Sequence, residues 1–362
     1  MHVLVIGSGL AGLTVAIALA RAGHKVEILE SAPQITYIGA GIQVSPNSSR
    51  ILCRLGQDGT KLVECPLKEP AHKEYGSPYW HIHRAEFHRG LSECAAALSV
   101  ETHLNSRVVE VDPDTPALVT KDGRCFEADF VVAADGLHSI CRHVVMGRPG
   151  PPIPTGQMVY RVTVPARKLE GIPELEEFIT VPRNNHWIGP HGTIFSYLLE
   201  GINERLVNFV FTCDVSMEDG VNQKIGTNAE VRAAFKSWDP RIDKMLEFVD
   251  EVLEWRLFTH EELPSWVHPS QKLCLVGDAA HAMTPYLAQG AAMGIEDAAI
   301  LGGLLERFPS KDTLPTALRL YEQLRIKRTA MVARASFDSR WFTQMEDGSE
   351  QWQDRLVHAG LK

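Results

Sequence analysis

The sequence predicts an α/β fold in which a parallel-sheet domain is interrupted by a second, mostly antiparallel domain and ends in a long C-terminal helix. Three observations carry this expectation. The chain opens as strand, glycine-rich turn, helix and strand. A stiff segment, GRPGPPIP at 147–154, separates two styles of sequence. KLCLVGD, from Lys272, then returns to the first style ahead of a helical stretch at 314–342.

The elements follow in order. Val3–Ile6 is a branched apolar run that stops at glycine, as buried parallel strands do. Leu10–Ala22 is rich in alanine and leucine and meets a helix stop at Gly23. Lys25–Glu30 is a second strand and completes a βαβ unit. The segment 44–56, around Pro46, reads as a short helix and His83–Leu98 as a longer one. From 107 to 134 the chain is β-rich, with KDGR (121–124) as a turn and FEADFVVAADG as a strand running to Asp135. Beyond the linker, GQMVYRVTV, EEFITV, GTIFSYLL and RLVNFVFTC read as strands, and 229–238 as a helix. The first domain is therefore discontinuous, at 1–150 and 265–362, and the second occupies 151–264.

Composition narrows the possible partners. The chain has 362 residues, enough for a large core that needs neither disulfides nor a structural metal. Its 45 acidic against 36 basic residues, a formal charge of −9, argue against nucleic acid or an anionic membrane as partner. Seven cysteines, at 53, 65, 94, 125, 141, 213 and 274, form no CxxC pair and suit a reducing, cytoplasmic setting. The apolar N-terminus has no basic leader and carries glycines in register, so it reads as strand, turn and helix rather than as a membrane or signal segment.

Three motifs bear chemistry. In GSGLAG, Gly7, Gly9 and Gly12 stand in GxGxxG register between strand and helix, with Leu10 and Ala11 carrying the backbone into the helix. Such a turn lets backbone N–H groups meet a pyrophosphate at a helix N-terminus, the mark of a Rossmann-like dinucleotide site. Glu30 ends the second strand, where it accepts from a ribose hydroxyl and repels a 2′-phosphate; a tight turn that binds nothing is the other reading. Asp135–Gly136, in ADGLHSICR, lies at a strand's C-terminal end, where doubly wound sheets meet ligands or simply turn. In GDAAHAMTPYLAQGAAMGIEDA (277–298), Asp278 ends a strand and faces the crevice, Pro285 stiffens the loop, and Gly290 and Ala291 open a helix with little side-chain bulk, against which a flat ring can lie. Glu296–Asp297 read as a solvated or packing face of that helix.

Together with GAGIQVSPN (39–47), HRAEFHRGL (83–91) and LYEQLRIKR (320–328), these motifs resemble the single-component FAD-dependent aromatic hydroxylases, the group A flavoprotein monooxygenases, nearest their salicylate- and 6-hydroxynicotinate-hydroxylase branch. The resemblance spans nearly the whole chain, with the motifs in order and at the right spacing. It implies that Glu30 binds the adenosine ribose of FAD, Arg84 the pyrophosphate or ribityl side and Asp278 the ribityl chain. Gly290 and Ala291 would lie along the isoalloxazine, with Gln43 near the flavin ring. It also implies a cycle in which NADH or NADPH reduces FAD, O2 adds at flavin C4a, and the hydroperoxide hydroxylates an electron-rich, phenolic and acidic aromatic.

Arg161, in MVYRVTVP, stands where such enzymes place a substrate-facing arginine. Tyr197, in GTIFSYLL, is the partner or base expected at the substrate oxygen, and each has a plain alternative as a surface or sheet-core residue. His191 reads as a loop histidine and His281 as the residue that orients the GD loop. His81, His83 and His88 have metal-like spacing, but no cysteine or carboxylate completes a set, so no metal is expected. The partners expected are a small aromatic, O2 and NAD(P)H, and the protein a monomer or homodimer without stable membrane insertion. A non-oxygenating FAD dehydrogenase or oxidase of the same fold is the alternative. A halogenase is disfavoured because no tryptophan stands in a WxWxIP segment.

Overall fold

The computed structural model describes residues 1–34, 41–44, 51–55, 61–66, 80–181, 183–201 and 204–345. The chain divides into two compact units, one of Met1–Tyr37, Phe87–Ile153 and Phe258–Phe337, the other of Ile38–Glu86, Pro154–Leu257 and Asp338–Lys362.

The first unit is built on a five-stranded parallel sheet. The strand His2–Ile6 lies between Lys25–Leu29 and Phe130–Ala133; Leu273–Leu275 and Glu101–His103 complete the two edges. Val3 to Ile6 and Phe130 to Ala133 are buried throughout, which is why these runs show no polar alternation. The register sets Ile6 beside Leu29 and Ala133, and Ala133 beside Leu275. The residues that follow these strand ends, Gly7, Glu30, Ala134–Asp135 and Val276–Gly277, therefore line one carboxyl edge, where ligands meet such sheets. Helix Leu10–Arg21 packs on helix Gly290–Arg307, where Gly302 lies close to Ala18. An antiparallel ribbon of Val108–Asp112, Ala117–Thr120 and Cys125–Glu127 sits apart, and the KDGR turn joins its last two strands.

The second unit carries an eight-stranded sheet in the order Gln223–Thr227, Glu251–Thr259, Ile153–Pro165, Arg205–Cys213, Gly192–Glu200, Asn184–Gly189, Ile51–Leu55, Lys61–Pro66. Period-2 alternation gives this sheet two unlike faces. Tyr160, Val162, Phe209, Phe211, Ile194 and Trp187 join Val231, Phe235, Ile242 and Leu246 in one apolar core. The opposite face sets Thr163 beside Asn208, Asn208 beside Tyr197 and Tyr197 beside Asn184. One step along, Arg161, Val210, Phe195 and His186 form the next row.

Three local expectations change. EEFITV is not a strand: Glu177–Thr180 is a short helix, because Leu175, Phe178 and Ile179 bury together at helical spacing. The 44–56 stretch contains a strand, Ile51–Leu55, paired in parallel with Asn184–Gly189, so that the latter's open backbone edge is covered. The helix expected at 229–238 is present but shorter, Asn228–Ala234, and a second helix, Pro240–Leu246, follows it. The second unit also differs from the stretch 151–264: it takes in 38–86 and 338–362 and leaves 151–153 and 258–264 to the first unit. Gly41–Val44 pairs with Trp80–His83, the Gly41 N–H donates to Asn208 Oδ1 (3.2 Å), and Gln157 donates to Gln344 (2.8 Å). Among the described residues no helix is long and apolar enough to cross a membrane.

Asp239 ties the second unit's helices to its sheet. It accepts from the Trp187 indole (2.8 Å), caps the helix Pro240–Leu246 through the Arg241 N–H (3.0 Å) and pairs with the Arg241 guanidinium. Losing the cap and orphaning the buried indole N–H together predict that Asp239→Ala destabilises this unit by about 2–4 kcal/mol. Calorimetric melting of the variant against the wild type measures it.

Candidate functional site

At the first strand end, Gly7 takes φ +96°, a conformation that side chains resist, and a Cβ on Gly12 would press into the Gly7 carbonyl. No side chain caps helix Leu10–Arg21 at Gly9, and nothing lies near the position of a Gly9 Cβ, so the start of this helix, at Leu10 and Ala11, carries no side-chain cap and has room at Gly9. His88 donates to the Ser8 carbonyl (2.6 Å) and braces the turn, a role that its metal-like spacing did not suggest. Glu30 accepts from the Ser8 N–H (2.8 Å), the Ser8 hydroxyl (2.7 Å), the Ala32 N–H (2.7 Å) and the Ser31 hydroxyl (3.2 Å). Burial pushes its pKa up, but these hydrogen bonds outweigh burial and hold it below the usual range.

Asp135 stands behind the neighbouring strand. Its Oδ2 accepts from the Ile140 N–H (3.0 Å) and the Cys141 N–H (3.2 Å), while its buried Oδ1 has no partner; burial raises its pKa. Ser139 caps the following helix, and Arg142, fully buried, donates to the carbonyls of Ala279 (3.2 Å), Ala280 (2.9 Å) and Glu261 (2.5 Å). Burial lowers the Arg142 pKa to about 10, so it stays charged at neutral pH.

Asp278 has an exposed side chain, while Val276, Gly277, Ala279 and Ala280 around it are buried. Pro285 begins the turn Pro285–Leu287, and Gly290 and Ala291 are the first residues of the 18-residue helix Gly290–Arg307, whose N-terminus has no side-chain cap. What holds this loop is Asp297, which is 0% exposed. Its Oδ2 accepts from the Gly277 N–H (2.9 Å) and bonds His281 Nε2 (2.6 Å), and its Oδ1 accepts from Arg325 Nε (2.7 Å). Arg325 also pairs with Glu296, which Arg328 grips at 2.6 Å through both Nε and Nη2. Burial raises the Asp297 pKa, but His281, Arg325 and the Gly277 N–H outweigh it and leave it lowered. Glu296–Asp297 are thus an anchoring charge cluster, not a solvated face. Arginines three apart in LYEQLRIKR (320–328) were the available signal, but a sequence does not show which carboxylates they meet.

The second unit holds the other candidates. Arg161 has no ion pair with a described carboxylate, and its Nε has no hydrogen-bond partner. Its guanidinium lies over the Trp255 ring, 4.4 Å from the centroid. Burial lowers its pKa to about 10; Tyr197 raises it and Arg84 lowers it further. Burial raises the Tyr197 pKa against the opposing pull of Arg161, so its hydroxyl is neutral at pH 7. The Tyr197 ring stacks on His81 (4.6 Å) and packs against Gly41, where a Cβ would stand 2.5 Å from Cε2 and 2.7 Å from the hydroxyl. Gln43 faces His81 across the two-stranded ribbon, and Arg84 opens the helix Arg84–Ala97 with its side chain exposed. His191 sits exposed in the turn before Gly192, 3.6 Å from Asp214. Asn208, fully buried with Nδ2 unpartnered, lies on the same face as Arg161 and Tyr197 and was not anticipated.

Residues 1–336 match the model of the FAD binding domain family. The chain belongs to this family. It is 36% identical over 373 residues to the 3-amino-4-hydroxybenzoate 2-monooxygenase PtmB3 of Streptomyces platensis, covering 97% of this chain and 90% of that protein. The FAD-dependent monooxygenase OpS4 of Beauveria bassiana (strain ARSEF 2860) is 33% identical over 374 residues, covering 97% and 87%. The crystal structure of CtdE with FAD and a substrate superposes with a TM-score of 0.84 at 25% identity, covering 97% and 92%.

The first unit fits the FAD of this family on its own features. It has an uncapped helix N-terminus behind a glycine-rich turn, an unpartnered buried oxygen on Asp135, and an exposed carboxylate in a buried run at Asp278. Removing the charge at Asp297 leaves buried Arg325 with Glu296 as its remaining carboxylate partner, so Asp297→Asn should lose about 1–3 kcal/mol of stability and retain less FAD. The FAD-to-protein ratio after gel filtration and the melting temperature report both. Because the folded pKa of Asp297 lies below its unfolded value of about 3.9, its contribution is complete above that pH. It fades as pH falls through the folded value, and the variant should lose less stability than the wild type over that window.

Proposed function

We propose that the protein is an FAD-dependent monooxygenase that uses NADH or NADPH and O2 to hydroxylate a small phenolic, acidic aromatic, with FAD on the first unit and the substrate on the second. The observation that carries this reading is Arg161, a guanidinium without a counter-charge beside a neutral Tyr197, in a chain whose relatives are named as monooxygenases, one of them as FAD-dependent. The net reaction consumes O2, the reduced nicotinamide and a proton; one oxygen atom goes to the ring and the other leaves as water.

Bound FAD supplies the electron transfer and the oxygen chemistry. The protein's part is to bind, orient and set charge. The Gly7–Gly12 turn and the N–H groups of Leu10 and Ala11 would hold the pyrophosphate, with Arg84 on the pyrophosphate or ribityl side. Glu30 would hold the ribose, whose hydroxyl takes the place of the Ser8 or Ser31 hydroxyl. Asp135 would accept from the cofactor through its unpartnered Oδ1. Asp278 would hold the ribityl chain, with Pro285 fixing the loop and Gly290 and Ala291 lying along the ring. A helix N-terminus at the flavin's anionic edge is worth about 1–2 kcal/mol. Gln43 would contact the ring.

A phenol with a pKa near 10 costs about 4 kcal/mol to ionise at pH 7, and one arginine lowers such a pKa by about 1–3 units. Arg161 would hold the substrate's anionic group, and Tyr197, kept neutral, would act as its hydrogen-bond partner rather than as a base. Scattered free cysteines suit a reducing, cytoplasmic setting, where the protein would act as a monomer or homodimer.

The test is NADH and NADPH oxidation under air by FAD-loaded protein with salicylate, 3-hydroxybenzoate, 3-amino-4-hydroxybenzoate and 6-hydroxynicotinate, following peroxide and products. One acid should accelerate oxidation and gain an oxygen atom with little peroxide. For that acid, Arg161→Ala should raise KM about 10- to 100-fold, and Tyr197→Phe should lower kcat/KM about 5- to 10-fold. Oxidation that no acid stimulates, with no oxygen gained by any, favours the non-oxygenating alternative.

A further inference from the structure

We propose that Trp255 is a positioning residue for the substrate's anionic group: its indole face carries the Arg161 guanidinium where a carboxylate would otherwise neutralise it. This rests on the hydroxylase reading above and names what keeps its arginine ready for an acid.

The geometry is that of a cation on a ring. Arg161 Cζ lies 4.4 Å from the Trp255 centroid, within the roughly 6 Å over which an indole quadrupole attracts a guanidinium. A ring face attracts the cation without accepting hydrogen bonds from all of its N–H groups, which leaves donors for a planar carboxylate, whereas an acidic side chain would occupy them. The charged neighbours bear this out. Glu254, next to Trp255 in the strand Glu251–Thr259, points to the other face by alternation and pairs there with Lys224 (3.3 Å). Arg84 adds a second positive charge to the surroundings of Arg161. The indole Nε1 is buried without an acceptor, a state that costs about 1–3 kcal/mol. Phenylalanine would avoid that penalty and supply a weaker face, so it separates the ring's role from that of the N–H.

The experiment uses FAD-loaded enzyme, the panel acid with the highest turnover and the carboxamide of that acid. Trp255→Leu should raise KM for the acid about 3- to 30-fold, with kcat within about twofold and KM for the carboxamide within about twofold. Trp255→Phe should recover most of the loss. In an Arg161→Ala background, Trp255→Leu should have no further effect, which a double-mutant cycle reads directly. Equal increases in KM for acid and carboxamide, a loss confined to kcat, or full additivity in the cycle would overturn the proposal, since each marks Trp255 as ordinary packing. If Arg161→Ala erases the preference for the acid while Trp255→Leu preserves it, only this inference falls. If Arg161→Ala leaves that preference intact, or if no panel acid is turned over, the hydroxylase reading falls and this inference with it.

Discussion

A single buried carboxylate organises the first unit. Asp297 reaches from helix Gly290–Arg307 to the backbone N–H at Gly277, to His281 in the following turn and to Arg325 on helix Leu314–Thr343. A charge with no exposure is unfavourable unless every lone pair is engaged, and here three partners converge on it. The consequence is geometric. The strand end that leads to Asp278 and the helix start at Gly290 are anchored to one group, so two parts of the proposed flavin cradle hold a common frame. Arg142 works alongside from another element, gripping the carbonyls of Ala279 and Ala280 just beyond Asp278.

The second unit solves a different problem. Its sheet must bury one face to be stable and keep the other chemically useful. Trp187, Phe209 and Phe211 with their helical cover satisfy the first demand, which frees the opposite face to carry Arg161, Tyr197, Asn184 and Asn208. Burying such polar groups without full pairing is costly in a free protein. Arg161 Nε, Asn208 Nδ2, Asn184 Oδ1 and Trp255 Nε1 all lack partners. These four atoms lie on or close to Arg161 and Tyr197, as the proposed substrate surface would require.

The two units divide the chemistry by charge. The first unit offers backbone N–H groups and helix N-termini, which suit phosphate and a reduced ring, while the proposed roles of Glu30, Asp135 and Asp278 are to accept from hydroxyl groups. The sheet side offers one concentrated positive charge resting on an indole beside a phenol kept neutral by burial. Partial charges suit a resident cofactor, and a full charge suits recognition of an exchangeable anion.

The sequence by itself determined the parallel core, the glycine turn and the family. Each rests on local features: branched runs ending in glycine and three glycines in register. Where a segment's partner decides its form, the sequence was silent or misleading. EEFITV has strand-like residues but bends into a helix because Leu175, Phe178 and Ile179 share one apolar pocket of the core. Glu296–Asp297 look like any acidic pair on a helix, and only the approach of Arg325 and His281 makes Asp297 an anchor. Arg161 was legible as a charge in a strand, but its resting place on Trp255, distant in sequence, was not. Glycine spacing and hydrophobic period act over a few residues along the chain. The partner of a buried charge is set by long-range packing, and for Asp297 and Arg161 only the tertiary structure decided it.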